Sequence, residues 1–290
     1  MTATVHVVGY LSIDRIETGR DAGDDVPGGA ALYAALGARA AGAAVALHAM
    51  SGVDFRAEWL QQAANLGIDL AGVVRCSSPT RRARLAYRTD ESRDNAHHAQ
   101  DAWWERTHTL VPAVPAALAA GDVVALMAVP SAVAAKTLAA AAKAGARVVM
   151  DTSAAFATRE HDAVCANAAK AYIFAPSLEE TRHLCPDCSD DAAAFALAGS
   201  GCNVLHKRGA AGAFAVAARA ATGLRLAAPP ATLRDPTGAG DAVVGALAAG
   251  IAAGLDFIAG ARAALQIGAR CVGGWGPAAL GLHFEGSAAS

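Results

Sequence analysis

The stretch Asp-Pro-Thr-Gly-Ala-Gly-Asp, residues 235–241, decides the fold. It follows a predicted strand over Leu224–Ala228 and precedes a predicted helix over Ala242–Gly254. Pro236 starts a turn, and two glycines one residue apart let the backbone fold tightly. The N–H groups of this turn then lie at a helix N-terminus, where four donors lack intrahelical partners and the helix dipole is positive. The stretch therefore predicts an anion site, most naturally for phosphate.

Asp241 is the unexpected member of this turn, because a carboxylate pointed at a phosphate would repel it. A carboxylate beside the phosphate, facing a substrate hydroxyl, would instead act as a general base. We therefore expect the chain to bring a hydroxyl and a phosphate donor together at this turn.

Length and composition set the class of protein. The 290 residues suffice for one large α/β domain or two small ones, and 54% of them are hydrophobic, which permits a large core. A net charge of -2 gives no support for nucleic-acid binding. Residues 1–9 do not resemble a signal peptide, and no apolar run reaches the length of a membrane span. With six cysteines and no secretory signal, we expect a cytoplasmic protein with reduced thiols.

Strands and helices alternate along most of the chain. Strands are predicted over Val5–Gly9, Ala44–Met50, Asp122–Met127, Arg147–Met150, Ala171–Ala175, Asn203–His206 and Ala213–Ala217. Helices are predicted over Ala30–Ala41, Phe55–Leu66, Ser131–Ala144, Ala163–Ala169 and Phe257–Cys271. Repeated strand–helix–strand units imply right-handed crossovers, so the prediction is one α/β domain, residues 1–290, with a mostly parallel sheet flanked by helices. No domain linker and no solenoid repeat interrupts it.

One region breaks the alternation. Short, exposed strands with polar turns are predicted over Val73–Arg75, Arg84–Arg88 and Thr89–Asn95, in a stretch rich in arginine. We predict a small β lid built from segments near residues 10–27 and 72–105. Its basic side chains, which either meet an anionic substrate or protect a solvated sheet edge, are Arg81, Arg82, Arg84, Arg88 and Arg93. Trp103-Trp104 caps a pocket or closes the lid's own core.

Candidate ligand-binding residues follow the first strand. Asp14 lies beyond its C-terminal end, where ligands bind in open α/β sheets, and an ionised carboxylate accepts two hydrogen bonds from sugar hydroxyls. A solvated turn aspartate is the simpler alternative. Gly28 and Gly29 open a helix and permit close approach of a ligand, although many loops contain such a pair. Tyr33, one turn later, either faces the same pocket or packs in the core.

Three further motifs lie in the second half of the chain. Glu180 sits three residues after Ser177, a capping-box arrangement, and is also placed to hold the hydration shell of a magnesium ion. The turn Lys207–Gly212 between two strands suits nucleotide phosphates, although a plain hairpin would look the same. Cys185 and Cys188 lack a second pair at zinc spacing, so reduced surface thiols are favoured over a metal site. A dinucleotide-binding fingerprint after the first strand is absent from the sequence, which argues against an oxidoreductase.

Two of these stretches resemble a known family. Pro27–Gly42, with Gly28-Gly29 and a small-residue helix, is similar to the N-terminal signature of the ribokinase-like (PfkB) carbohydrate kinases. Residues 235–246 are similar to their C-terminal signature, and the order of elements between also fits. The resemblance covers nearly the whole chain. It implies a Rossmann-like sheet with a β lid, and ATP-dependent phosphorylation of a hydroxyl group on a sugar or nucleoside.

The resemblance also implies roles for individual residues. Asp241 matches the catalytic base, and the anion hole matches Gly238, Ala239 and Gly240. The sugar-binding positions match Asp14, Gly28 and Gly29, with Tyr33 beside them. The nucleotide-binding positions match Lys207, Gly209 and Gly212, together with Thr237, Gly238 and Gly240. Glu180 matches the glutamate that supports magnesium through water. The possible potassium ligands, in members that need a monovalent cation, match Asp235 and Thr237.

Three departures from the family pattern matter for the substrate. Tyr33 stands where ribokinases usually carry an Asn that contacts the sugar, Ser177 replaces the Asn of the magnesium motif, and Val243 replaces a Phe. The first argues against ribose and leaves a sugar, a nucleoside or a cyclitol such as myo-inositol open. A non-catalytic nucleotide or metabolite sensor on the same fold is the alternative function. A homodimer through the lid is also open.

Overall fold

The structure of the chain is a computed structural model that describes residues 3–19, 21–87, 93–94 and 101–285, without the side chains of residues 93–94 and 101–103. The strands are β1 Thr4–Val8, β2 Ser12–Glu17, β3 Ala22–Gly28, β4 Ala44–Ser51, β5 Ile68–Arg75, β6 Arg81–Tyr87, β7 Arg93–Asp94, β8 Val123–Leu126, β9 Arg147–Met150, β10 Ile173–Phe174, β11 Asn203–Lys207, β12 Ala213–Val216 and β13 Gly223–Leu226. The helices are α1 Ala30–Ala40, α2 Ala57–Asn65, α3 Asp101–Thr107, α4 Ser131–Ala144, α5 Ala154–Arg159, α6 His161–Ala168, α7 Leu178–Leu184, α8 Asp190–Gly199, α9 Ala239–Ala252 and α10 Phe257–Cys271.

A nine-stranded sheet runs through the molecule in the order β13-β12-β11-β10-β9-β8-β1-β4-β5. From β11 to β5 every neighbouring pair is parallel, and only β12 and β13 at one edge run antiparallel to their neighbours. Helices cover both faces of the parallel part, as crossover connections require. The predicted mostly parallel α/β sheet is confirmed. Among the described residues, no helix has both the length and the apolar character needed to cross a membrane.

Alternate residues of the central strands enter two separate cores. Val7 of β1 faces a core shared with α1, α2, α9 and α10, whereas Val8 faces one shared with α4 to α8. Helices α1 and α9 pack unusually closely. A Cβ on Gly37 would lie 2.4 Å from the carbonyl oxygen of Ala242, and one on Gly245 would lie 1.8 Å from that of Ala34. Because α1 and α9 begin with the two glycine motifs, this contact fixes those motifs relative to each other.

A second, four-stranded sheet has the order β3-β2-β6-β7. Its inner face packs through Ile16, Val26 and Leu85 on Trp275, which follows α10. We call this layer the small sheet. One predicted part of the lid is wrong: residues 72–75 belong to β5, which pairs with β4 at the edge of the large sheet. An edge strand of the large sheet exposes as many residues as a lid strand does, so the exposure pattern could not distinguish them.

Candidate active site

The turn before α9 has the geometry of an anion site. Gly238 is the N-cap of the helix, with a left-handed φ of 71°, and the N–H of Ala242 donates to its carbonyl oxygen at 2.8 Å. Gly240 is exposed and Asp241 is half-buried, so both are accessible to a ligand. The backbone N–H groups of the turn lie at the positive end of α9, a 14-residue helix. The turn therefore offers backbone donors beside a carboxylate.

Asp235 holds this turn in place. One carboxylate oxygen accepts the N–H of Thr237 at 2.8 Å, and the other accepts the N–H of Gly276, also at 2.8 Å. Burial raises the pKa of Asp235, and these hydrogen bonds act against that rise. The Thr237 hydroxyl donates to the Tyr87 hydroxyl of β6 at 3.0 Å, so the small sheet reaches the turn directly. That Asp235 and Thr237 bind a monovalent cation stays a prediction.

Lys207 brings a positive charge to the turn. Its Nζ lies 2.6 Å from Oδ2 of the buried Asp151, and 3.5 Å from the place that a Cβ on Gly240 would take. Burial disfavours the charged ammonium, but Asp151, Glu180 and Asp241 outweigh burial and raise the pKa of Lys207. Lys207 is therefore a charged partner of Asp151 at the edge of the anion site. Asp151 was not assigned a role from the sequence.

Glu180 has the predicted capping-box geometry. Its carboxylate accepts the N–H of Ser177 at 2.6 Å, and the Ser177 hydroxyl accepts the N–H of Glu180 at 3.4 Å. The N–H of Lys207 donates to the carbonyl oxygen of Pro176 at 2.8 Å, which brings the start of α7 beside β11. Burial, and then the charge of Asp151, raise the pKa of Glu180 to about 7. The capping box explains the position of Glu180, but its hydrogen bonds do not offset the effect of burial and of Asp151 on the pKa.

A magnesium ion with its water shell suits this cluster. Asp151, Glu180 and Asp241 all interact electrostatically with the ammonium of Lys207, and burial raises the pKa of both Asp151 and Glu180, so a further positive charge nearby would stabilise their ionised forms. Magnesium prefers oxygen ligands and tends to keep several waters. In the described part of the chain, no three His, Cys, Asp or Glu side chains are arranged to hold a metal directly. The donor set therefore fits magnesium held through water and substrate phosphates better than a closed protein site.

The predicted sugar-binding residues lie together on β2, β3 and the start of α1. A Cβ on Gly28 would lie 1.9 Å from Oδ2 of the buried Asp14, so only glycine permits this carboxylate position. Gly29, with φ of 100°, begins α1, and a Cβ there would lie 2.3 Å from the carbonyl oxygen of Tyr10. The guanidinium of Arg81 stacks 4.0 Å from the centre of the Tyr10 ring and interacts electrostatically with Asp14. Asp14 is therefore a built part of the structure and not a solvated turn residue.

Tyr33 joins the acceptor side to the turn. It is 1% exposed, and a Cβ on Gly238 would lie 2.1 Å from Cγ of its ring. Its hydroxyl is buried with no hydrogen-bond partner, in the electrostatic neighbourhood of Asp235 and Asp14. The ring lies against the backbone of the turn, which favours the interpretation that Tyr33 packs in the core over one that faces a pocket. Burial raises the pKa of Tyr33 well above its ordinary value, so its hydroxyl stays protonated.

The glycines of the β11–β12 hairpin differ in their surroundings. Gly209 has φ of 56° and open space around the position of a Cβ, whereas a Cβ on Gly212 would lie 2.0 Å from the carbonyl oxygen of Leu226. Only Gly209 is thus exposed toward a ligand, and Gly212 is required by the contact with β13. Both remain predicted nucleotide neighbours.

The other basic and cysteine motifs lie outside this cluster. Arg82 pairs with Asp25 and Asp54, and Arg84 with Glu17, in exposed ion pairs that fit a charged sheet edge. Arg88 and the side chains of Arg93 and Trp103 fall outside the described residues, while Trp104 packs 5.0 Å from Phe156. Cys185 is half-buried and Cys188 exposed, both as free thiols.

Comparisons with known proteins agree with this architecture. A family model described as "pfkB family carbohydrate kinase" matches residues 3–280. Aminoimidazole riboside kinase from Salmonella enterica, complexed with aminoimidazole riboside and an ATP analogue, is 20% identical, with a TM-score of 0.72 and 93% of each chain covered.

Two further solved structures have the same fold. Fructokinase from Vibrio cholerae O395, bound to fructose, ADP and calcium ion, is 19% identical, with a TM-score of 0.72, covering 97% of this chain and 96% of that one. A nucleoside kinase from Burkholderia thailandensis in complex with inosine is 19% identical, with a TM-score of 0.72, covering 95% and 92%. A search of curated protein sequences finds no match.

Proposed function

Because the chain belongs to the pfkB family of carbohydrate kinases, we propose that it transfers the γ-phosphate of ATP to a hydroxyl of a small sugar-like molecule, with Asp241 as general base. The observation that carries the proposal is the turn before α9. It combines backbone N–H groups at a helix N-terminus, an accessible carboxylate and the nearby ammonium of Lys207. Asp14, the proposed acceptor ligand, interacts electrostatically with Tyr33, whose ring contacts this turn.

The chemistry assigns one task to each part of the turn. The hydroxyl oxygen of the acceptor attacks the γ-phosphorus while Asp241 takes the hydroxyl proton. The bond between the γ-phosphorus and the bridging oxygen then breaks, and ADP leaves with that oxygen. The N–H groups of Gly238, Ala239 and Gly240 hold the charge that develops on the transferred phosphoryl group. A preorganised turn needs no reorganisation at that moment, because Asp235 and the helix already fix it.

Charged groups around the turn fit ATP and magnesium. Lys207, beside Gly240, would face the phosphates, and the exposed Gly209 would permit close approach of the nucleotide. Glu180, with Asp151 beside it, would orient the waters of magnesium, which when bound neutralises phosphate charge. A solved fructokinase variant of the same fold is described in fructose, ADP and potassium ion bound form, so we include potassium at Asp235 and Thr237 in the proposal.

Asp14, with Gly28 and Gly29 beside it, would bind the acceptor. Its carboxylate accepts hydrogen bonds from two neighbouring hydroxyls, which is what a polyol offers. Solved structures with this fold are described with fructose, with aminoimidazole riboside and with inosine, so the fold leaves the acceptor class open. A screen of ADP release with magnesium and ATP against sugars, nucleosides and cyclitols, with and without potassium, would identify it.

Asp241→Asn tests the assignment of the base. We expect kcat to fall about 10²–10⁴-fold, with the melting temperature and the affinity for ATP retained, because the amide fits the same space but cannot accept the proton. Asp256→Asn, at the N-cap of α10, is the matched control, since asparagine caps equally well and Asp256 lies at the other end of the helix pair. A kcat for Asp241→Asn near that of the unchanged protein would refute the proposal.

The sensor alternative predicts a different outcome. A non-catalytic binder would show a melting-temperature increase with ATP but no ADP release with any acceptor of the screen. Asp241 argues against it, since a pure binder does not need a base beside the phosphate, where a second negative charge repels the ligand. The homodimer through the small sheet stays a prediction, which sedimentation of the purified chain would test.

A further inference from the structure

The ring of Tyr33 occupies the space that a side chain at residue 238 would need. Ring atoms of Tyr33 lie 2.1, 2.2 and 2.4 Å from the position of a Cβ on Gly238, so the Gly238 backbone rests on the face of the ring. Gly238 is also the residue whose left-handed φ of 71° turns the chain into α9. A displacement of the ring therefore moves Gly238, the N-cap of α9 and the first of the three residues predicted to form the anion hole.

The hydroxyl of Tyr33 does not explain the choice of this residue. It is buried without a hydrogen-bond partner, which costs stability. Tyr10, the other buried tyrosine of this region, donates its hydroxyl to the carbonyl oxygen of Thr107. The flat ring is what the turn contacts, and an aliphatic or smaller side chain cannot present such a face.

We propose that Tyr33 is a positioning residue for phosphoryl transfer, whose ring supports Gly238 and thereby aims the N–H groups of the anion-binding turn. This inference rests on the proposed function. The support comes from a different part of the chain, since Tyr33 lies on α1, just after the glycine pair that borders Asp14. The ring of Tyr33 thus links the proposed acceptor-binding residues, which precede it on the chain, to the anion-binding turn at Gly238.

Three variants separate the ring from the hydroxyl and from general packing. Tyr33→Leu should lower kcat about 10–100-fold with the KM for ATP changed less than about threefold, because a small misplacement of the turn affects the transition state most. Tyr33→Phe should keep kcat within about threefold and raise the melting temperature by about 1–3 °C, because the unpartnered hydroxyl is removed. Phe257→Leu opens a comparable cavity in the same core at the far end of α9 and α10, and should leave kcat unchanged.

A double-mutant cycle tests the contact itself. Gly238→Ala in the unchanged protein drives a methyl group into the ring, whereas in Tyr33→Ala the methyl meets no ring. The combined kcat loss should therefore be at least about threefold smaller than the product of the two single losses. Losses that simply multiply, or a Tyr33→Phe variant as slow as Tyr33→Leu, would overturn the proposal.

An activity-independent measurement keeps this inference distinct from the proposed function. The N–H of Ala242 donates to Gly238, so a looser turn should exchange this amide hydrogen faster. We expect the amide hydrogens of residues 239–242 to exchange at least about tenfold faster in Tyr33→Leu than in the unchanged protein. In Phe257→Leu their exchange rates should not change. Unchanged exchange in Tyr33→Leu contradicts the inference even if the kinase activity is established, and faster exchange supports it even if no acceptor is found.

Discussion

The surroundings of Glu180 shift its pKa in two opposite directions. As the N3 residue of a capping box it is stabilised by the Ser177 N–H, which favours the carboxylate. Burial and the neighbouring Asp151 favour the neutral acid more strongly, so its pKa rises to about 7. A cation bound near this residue would reverse the balance, since positive charge favours the ionised form. If magnesium binds here as proposed, Glu180 would release its proton as the metal binds.

This balance predicts a pH dependence of stability. Because the folded-state pKa of about 7 lies above the ordinary 4.5, the contribution of Glu180 is fully present below pH 4.5 and is lost as the pH rises to about 7. Glu180→Gln keeps the cap but does not titrate. Urea unfolding at pH 5 and pH 8 should show the unchanged protein losing on the order of 1–3 kcal/mol more than the variant over this interval.

The direction of this effect is decisive. If Glu180→Gln and the unchanged protein lose stability in parallel between pH 5 and pH 8, Glu180 does not titrate in that range. Saturating magnesium should also lower the apparent pKa of ATP turnover in the unchanged protein, since metal and proton compete for one carboxylate. Glu179→Gln, on the same first turn of α7, is the control variant.

The candidate site was only partly predictable at the scale of residues. Glycine turns at helix starts have a local pattern, so the turn around Gly238 and Gly240 and the pair Gly28-Gly29 were visible in the sequence. Asp151 was missed because a single aspartate after a strand has no distinguishing neighbours, and its partner Lys207 lies 56 residues away. Contacts between distant residues are set by the sheet order, which the sequence does not display.

The elements follow local rules where their boundaries are marked. The helices Ser131–Ala144 and Phe257–Cys271 agree with prediction at both ends, because Asp256 caps one and Gly145 ends the other with a left-handed φ of 73°. Helices α5 and α8 were not predicted, since alanine-rich segments lack a clear polar face. Strand β5 was assigned to the wrong sheet, because its partner is chosen by tertiary packing alone.

Close packing of α1 on α9 is the element-scale feature on which the site depends. Gly245→Ala would bring a Cβ 1.8 Å from the carbonyl oxygen of Ala34, so the helices must separate. We expect a loss of about 1–3 kcal/mol in the free energy of unfolding, measured in urea. We also expect a lower kcat, because separating the helices moves Gly238 away from Gly28-Gly29.

Gly199→Ala is the matched control for this substitution. Gly199 ends α8 with nothing within 4 Å of the added Cβ. Alanine there should be neutral or stabilising by up to about 1 kcal/mol, since it favours the helix. A Gly245→Ala variant as stable as Gly199→Ala would mean that the close contact is relieved without cost.

At the scale of the whole molecule, the small sheet and the residue before it are tied to the turn before α9 and its neighbours at several points. Trp275 packs against its inner face, Arg234 pairs with Asp21 at 3.2 Å, and Thr237 donates to Tyr87. Arg234, Thr237 and Trp275 all lie within or beside the segments that the carboxylate of Asp235 holds through the N–H groups of Thr237 and Gly276. Closure of the small sheet over the acceptor would thus be felt by the anion-binding turn, and it would exclude water from the reacting phosphate.

Tyr87→Phe tests this connection without knowledge of the acceptor. The variant leaves the buried Thr237 hydroxyl without the acceptor it now has, at a cost of about 1–3 kcal/mol. We expect amide hydrogens in β6 and β2 to exchange about 3–10-fold faster, while those of β9 stay unchanged, since only the small sheet loses a tie. Tyr172→Phe, which lies before β10 and far from the small sheet, is the control. If exchange in β6 and β2 is unaffected by Tyr87→Phe, the contact with Trp275 and the Arg234–Asp21 pair hold the small sheet without help from Thr237, and the turn does not sense the position of the sheet through that hydroxyl.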